Sequence, residues 1–215
     1  MTRLSVNLNK IALIRNSRGS NYPDLIQVAK DCERFGAQGI TVHPRPDERH
    51  CKFSDLPLLK EACTTEFNIE GYPNRHFLEE VIKVKPHQCT LVPDDPNQIT
   101  SDHGWDTIKH KSFLQEVIQE LKQHDIRVSL FIDADKKLIE GAAAVNADRI
   151  EYYTGPYAKN YSKNPENAIK ELKETCSLAV ELGLGINAGH DLNLDNLKYL
   201  KDNLPQLDEV SIGHA

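Results

Sequence analysis

Ile40-Thr41-Val42-His43 reads as a short β-strand that stops on an imidazole, and the rest of the chain repeats its form. Leu4-Ser5-Val6-Asn7 precedes it. Phe67-Asn68-Ile69-Glu70, Cys89-Thr90-Leu91-Val92-Pro93, the run from Val128 to Asp133, Arg149-Ile150-Glu151, Gly185-Ile186-Asn187 and Val210-Ser211-Ile212-Gly213-His214 follow. Most of these runs end in a polar or ionisable residue. A strand rarely needs a carboxylate, an imidazole or an amide at its tip for stability. An active site at one mouth of a parallel barrel needs a ring of them.

Helical patterns lie between the tips. After Asn7 a polar loop is expected, then a helix with Pro23 in its first turn. Its apolar face is Leu25, Val28, Ala29, Cys32 and Phe35, and Gly36 stops it. Phe113, Leu114, Val117, Ile118 and Leu121 recur at the spacing of one helical face, as do Leu138, Ile139, Ala142, Ala143 and Val145. Asn164-Pro165 suits an N-cap and first helical residue for a helix burying Ile169, Leu172, Cys176 and Ala179. Weaker patterns follow Glu70 (Phe77, Leu78, Val81, Ile82) and Asn187 (Leu194, Leu197, Leu200). Repeated βα units imply parallel strands and right-handed crossovers. Eight tips predict a (β/α)8 TIM barrel, one domain over residues 1–215. An open doubly wound sheet is the alternative, but its glycine-rich first turn is missing from Asn7-Leu8-Asn9-Lys10. A closing helix is expected after the eighth strand, where the chain stops at Ala215.

A formal charge of -6, with no arginine stripe or lysine block, argues against nucleic acid as a partner. No apolar run approaches membrane-spanning length, and the N-terminus carries no signal core. The five cysteines form no CxxC pair and read as reduced thiols, which predicts a cytoplasmic protein.

The densest cluster of chemistry runs from His43 to His50. His43 can move protons near neutrality, and Arg45 offers a planar fork to a carboxylate or phosphate. The plainer reading is a solvated loop whose arginines pair with Asp47 and Glu48, and it suits Arg49 best. Glu70 and Glu151 at their tips need a partner or a function, since a buried carboxylate is costly alone. Together with two histidines they point to acid-base catalysis. Asn187-Ala-Gly189-His190 and Ile212-Gly213-His214 follow the last two strands, whose loops commonly hold phosphate in this architecture; both glycines also fit plain tight turns. Arg15-Asn16-Ser17-Arg18-Gly19 is a weaker anion grip. His76, His87, His103 and His124 read as structural. Metal binding is not expected: no HxH pair marks the first strand, and His43 and His50 lack the spacing of a helical ligand pair.

Taken together these blocks resemble the pyridoxine 5'-phosphate synthase family. The matching stretches are Val6-Asn7 through Arg18-Gly19, Gly39 through His50, Phe67 through Glu70, Cys89 through Pro93, Val128 through Asp133, Ile150-Glu151 through Gly155, Asn187 through His190, and Ile212-Gly213-His214-Ala215. The resemblance implies a cofactor-free condensation of 1-deoxy-D-xylulose 5-phosphate with 3-amino-2-oxopropyl phosphate. It implies His43 and Glu70 as acid-base residues, His190 as proton donor, and Glu151 as the group stabilising a cationic or transition-state species. Arg45, His50 and Thr100 would hold deoxyxylulose phosphate, and Asn7, Arg18, Gly213 and His214 the aminoketone phosphate. The segment from Asp94 to Asp106 resembles the family's lid, and a homo-oligomer, an octamer, is implied.

Three departures stand out. Asn9-Lys10 replaces an Asp-His pair common in the family, and both residues remain candidate substrate contacts. Asp191 stands where many members have glycine and is a third such contact. The helix that closes the family's barrel would lie beyond Ala215. Another phosphosugar barrel enzyme, or a binding barrel without turnover, are the competing readings of the same tips.

Overall fold

A computed structural model describes residues 1–94 and 101–214. Among them, strands β1 (Arg3–Asn7), β2 (Gly39–Val42), β3 (Glu66–Gly71), β4 (Gln88–Leu91), β5 (Arg127–Ile132), β6 (Arg149–Tyr153), β7 (Gly185–Gly189) and β8 (Glu209–Ile212) pair in parallel in sequence order. The ring closes where β1 lies beside β8, with Arg3 opposite Glu209 and Val6 opposite Ile212. The expected closed barrel is therefore the observed one.

Helices cover the outside. They are α1 (Asn9–Asn16), α2 (Leu25–Arg34), α3 (Leu56–Ala62), α4 (Arg75–Val84), α5 (Lys111–Lys122), α6 (Lys136–Ala144), α7 (Gly155–Tyr161), α8 (Pro165–Glu181) and α9 (Leu197–Asn203). Several starts are fixed by side-chain caps that satisfy otherwise unpaired N–H groups. Asp24 accepts from the Ile26 and Gln27 N–H groups, Asn74 from Phe77 N, Asp135 from Lys137 N and Leu138 N, and Asn164 from Asn167 N ahead of Pro165.

Side chains alternate across each strand with a period of two, and both faces are buried, but their polarity is opposite. Ile40, Val42, Phe67, Ile69, Leu91, Val128, Leu130, Ile132, Ile150, Tyr152 and Ile186 belong to the apolar core shared with the helices. The alternate positions supply a polar lumen: Ser5, Thr41, Asn68, Gln88, Thr90, Ser129, Asn187 and Glu209 are all buried. This departs from the branched aliphatic filling usual in such barrels. Hydrogen bonds satisfy these groups, Ser129 Oγ and Glu209 Oε2 excepted. Ser5 Oγ and Thr41 Oγ1 lie 2.7 Å apart, Asn68 donates to Thr41 Oγ1 at 3.3 Å, and Thr90 Oγ1 donates to Asn68 Oδ1 at 3.1 Å. Lower down, Arg127 donates to Gln88 at 2.9 Å and pairs with Glu66, while Arg149 donates to Asn187, which donates to Glu209 at 3.3 Å.

Several expectations need correcting. The polar loop after Asn7 is the helix α1, packed through Ala12 and Arg15. Pro23 stands before the Asp24 cap rather than inside the first turn of α2. Phe35 is 79% exposed, lying past the end of that helix with the Arg34 guanidinium 4.8 Å from its ring centre. Leu194 precedes α9 and is 94% exposed. Leu25, Ala29, Leu114, Val117, Ile118, Leu121, Ile139, Ala142, Ile169, Leu172, Cys176 and Ala179 are buried as their periodicity requires.

Candidate active site

The carboxyl ends of the strands surround a cleft of about 450 Å³. Twelve of the residues singled out in the sequence line it: Asn7, Asn9, Lys10, His43, Arg45, His50, Glu70, Glu151, His190, Asp191, Gly213 and His214. Arg18 does not. It stands exposed on the turn after α1, whose eight residues carry the chain about 12 Å from Asn9. Thr100 lies outside the described residues, as do the other lid positions from 95 to 99.

A chain of hydrogen bonds joins the first three tips. Asn7 Nδ2 donates to Glu70 Oε2 at 3.3 Å, and Asn7 Oδ1 accepts from Asn9 N at 3.0 Å. Asn9 Oδ1 in turn accepts from His43 N at 2.8 Å. What His43 N–H requires is an acceptor oxygen, and an asparagine supplies one as an aspartate would. The Asn9 departure therefore leaves this bond in place.

Burial pushes the ionisable groups in opposite directions. His43 is 6% exposed and its imidazole is held well below its usual range by burial, then by the charges of Arg45, His50 and Arg49. Glu70 is pushed up to about 8 by burial and by the Asp94 carboxylate, with a hydrogen bond to Ser211 opposing. Glu151 is raised well above the usual carboxylate range by burial, then by Glu70 and Glu209. At neutral pH the site thus holds an uncharged imidazole and carboxyl groups that keep their protons. His50 is lowered to about 4 by burial and by Arg49, Arg45 and Lys10. Its Nδ1 is buried and has no hydrogen-bond partner.

Glu151 lies deeper than a tip. Strand β6 runs on to Tyr153, so Glu151 projects into the lumen, and its Oε2 has no hydrogen-bond partner. Asn187 is deeper too, held between Arg149 and Glu209 and away from the cleft wall. The two glycines act by leaving room rather than by turning. A Cβ on Gly189 would lie 2.3 Å from Glu151 Oε1, and one on Gly213 would lie 2.4 Å from the Asn7 carbonyl oxygen.

Beyond β7 the backbone is held in an unusual shape. His190 and Asp191 have φ of 90° and 58°, in the region that favours glycine. Thr154 Oγ1 donates to the carbonyls of Gly189 and His190, and Asn196 Nδ2 donates to Asp191 O at 3.1 Å. The Asp191 carboxylate lies 3.1 Å from His190 Nδ1, and the Tyr153 ring meets the imidazole edge-on at 5.1 Å. On the far wall Arg45 is buried in an ion pair with Asp94 at 2.7 Å, and Ser101 Oγ donates to the same carboxylate oxygen. Arg49 pairs with Asp47 at 3.2 Å, as the loop reading expects.

Other lining residues escaped the sequence reading: Val92, Ser101, Phe131, Leu192, Ser211 and Ile212. The signal for Phe131 and Ser211 was available, because each stands two positions before a tip, Asp133 or Gly213, on the same strand face. Asp133 itself is a structural partner, accepting from Gly104 N at 2.9 Å.

The sequence pattern of the family described as "Pyridoxal phosphate biosynthesis protein PdxJ" matches residues 4–215. Pyridoxine 5'-phosphate synthase of Cytophaga hutchinsonii is 62% identical over the whole chain and 90% of its own length. The Phocaeicola vulgatus protein of that name is 59% identical over the same shares. Among solved structures, phosphoribosylanthranilate isomerase from Thermotoga maritima aligns with a TM-score of 0.62 at 12% identity, over 99% of this chain and 87% of that one. Thiamine phosphate pyrophosphorylase from Pyrococcus furiosus gives 0.63 at 11%, over 99% and 86%. Those two likenesses speak for the barrel alone. From the match along nearly all of its length, the chain belongs to the PdxJ family and is an enzyme with pyridoxine 5'-phosphate synthase activity.

Proposed function

We propose that the cleft condenses 1-deoxy-D-xylulose 5-phosphate with 3-amino-2-oxopropyl phosphate, releasing pyridoxine 5'-phosphate, inorganic phosphate and water. The observation that carries this reading is the convergence on one cleft of an uncharged His43, a protonated Glu70 and the hydrogen-bond chain through Asn7 and Asn9 that ties them together. Imine formation, enolisation and dehydration each need a proton taken at one atom and given at another. A neutral imidazole takes one, and a carboxyl that has kept its proton gives one. His43 and Glu70 fill those roles, and His190 donates from the opposite wall. Glu151, neutral among its buried carboxyl neighbours, gains most by ionising when a cationic imine stands beside it, which draws its proton off and stabilises the cation.

The phosphates go to the two ends of the cleft. Lys10, Arg45 and His50 gather around deoxyxylulose phosphate; Asn7, Gly213 and His214 face the aminoketone phosphate. Asp191 serves through His190. The enzyme is assigned to the cytoplasm and to a homo-oligomer, the first supported by five free thiols, each with its pKa raised by burial. Among the described residues no helix is long and apolar enough to cross a membrane. Incubating purified protein with both substrates tests the reaction: a product of the mass of pyridoxine 5'-phosphate is expected, and its absence with folded protein sinks the proposal.

A further inference from the structure

We propose that Asn16 is a positioning residue that sets the anion grip of the loop after β2, with Arg15 holding Asn16 in place. The inference rests on the reading above that this loop holds deoxyxylulose phosphate. Asn16 Nδ2 faces three successive carbonyl oxygens, those of Glu48, Arg49 and His50, at 3.2, 3.1 and 2.7 Å. Three carbonyls turned to one point repel each other, and a donor at that point is what allows the loop to keep this shape. Glu48 has a φ of 51°, so the loop bends through the left-handed region just where Asn16 takes hold.

The amide cannot rotate away. Arg15 Nε donates to Asn16 Oδ1 at 3.1 Å, which turns the Nδ2 group toward the loop. The same guanidinium grips Asp55 through two bonds of 2.7 and 2.8 Å, with both side chains buried. Asp55 Oδ2 also accepts from Lys52 N at 2.8 Å. The far end of the loop is therefore pinned to the same arginine.

Helix α1 thus acts as a strut with two attachment points. At its start Asn9 holds the His43 N–H; at its end Asn16 holds the backbone that presents His50. The two ends serve different tasks. Disturbing Asn9 moves a residue assigned to proton transfer, whereas disturbing Asn16 moves only the phosphate grip. The unpartnered His50 Nδ1 is the atom whose placement depends on Asn16.

The test is a steady-state comparison of N16D, N16S and H50A with the wild-type enzyme, varying deoxyxylulose phosphate at saturating aminoketone. N16D is nearly isosteric but sets a carboxylate against three carbonyl oxygens. It is expected to raise KM for deoxyxylulose phosphate at least ~10-fold while kcat stays within ~3-fold and KM for the aminoketone is unchanged. N16S retains one donor and is expected to fall between, and it carries the test if N16D does not fold. Faster amide hydrogen exchange over residues 47–53 in either variant is the accompanying structural signature. A normal KM in both Asn16 variants while H50A loses affinity overturns the positioning role and leaves the grip reading intact. Normal KM in all three variants overturns both.

Discussion

A carboxyl group that must arrive at neutral pH with its proton still attached has to be taken out of water and set beside negative charge, and Glu70 meets both conditions. Burial and Asp94 act on it together, and a displacement up to about 8 leaves it a ready acid. His43, displaced the other way by burial and then by Arg45, His50 and Arg49, is uncharged and has a nitrogen lone pair to accept a proton. We expect E70Q and H43N each to lower kcat at least ~100-fold in product-formation assays, with phosphate affinity little changed. The same burial has a thermodynamic consequence. Unfolded, Glu70 titrates near 4.5; folded, near 8. Between those values the native state keeps a proton that the unfolded chain has released, so stability falls as pH rises through the window. A glutamine has no proton to lose. E70Q should therefore gain melting temperature over wild type, little at pH 5 and clearly at pH 8.

Elements set where these groups stand, and α1 shows how much depends on one buried pair. Arg15 and Asp55 are both nearly inaccessible and bound through two hydrogen bonds. Replacing Arg15 with methionine strands a buried carboxylate, and the expected cost in urea unfolding is about 3–5 kcal/mol, well above that of an exposed pair such as Arg75–Glu79. Elements also show what local spacing can and cannot convey. The strands were legible because a period of two and a polar terminus sit within five residues. The faces of α4, α5, α6 and α8 were legible because each helix runs for nine or more residues and repeats its apolar positions. α1 was not: it has only eight residues, and its buried positions include an arginine whose partner stands 40 positions away. Phe35 and Leu194 have the right spacing but lie just outside helix ends, where periodicity no longer reports on burial. The depth of Glu151 was hidden because the strand continues through two tyrosines that read equally well as its loop.

At the scale of the whole molecule the unusual feature is a lumen of polar and ionisable side chains enclosed by an apolar outer layer. Glu209 is pushed up to about 7 there, mainly by burial and by Glu66, and Glu151 is raised as well. With Glu70, three buried carboxyls favour the protonated native state. His43 and His50, lowered by burial, act in the opposite sense, but only below about pH 6.5, the value of an unfolded histidine. Above that the carboxyls alone remain, so the free energy of unfolding in urea should decline steadily between about pH 6.5 and 8. The ring that encloses this lumen is closed by pairing Arg3 with Glu209 and Val6 with Ile212, contacts between the first strand and the last. A chain emerging from the ribosome cannot make them until β8 has been synthesised, and until then the half-built ring shows its inner face to water. In an aliphatic barrel that face would be adhesive. Here it offers Ser5, Thr41, Asn68, Thr90 and Ser129 to the solvent, so the nascent chain can wait for its last strand without presenting a surface on which neighbouring chains aggregate.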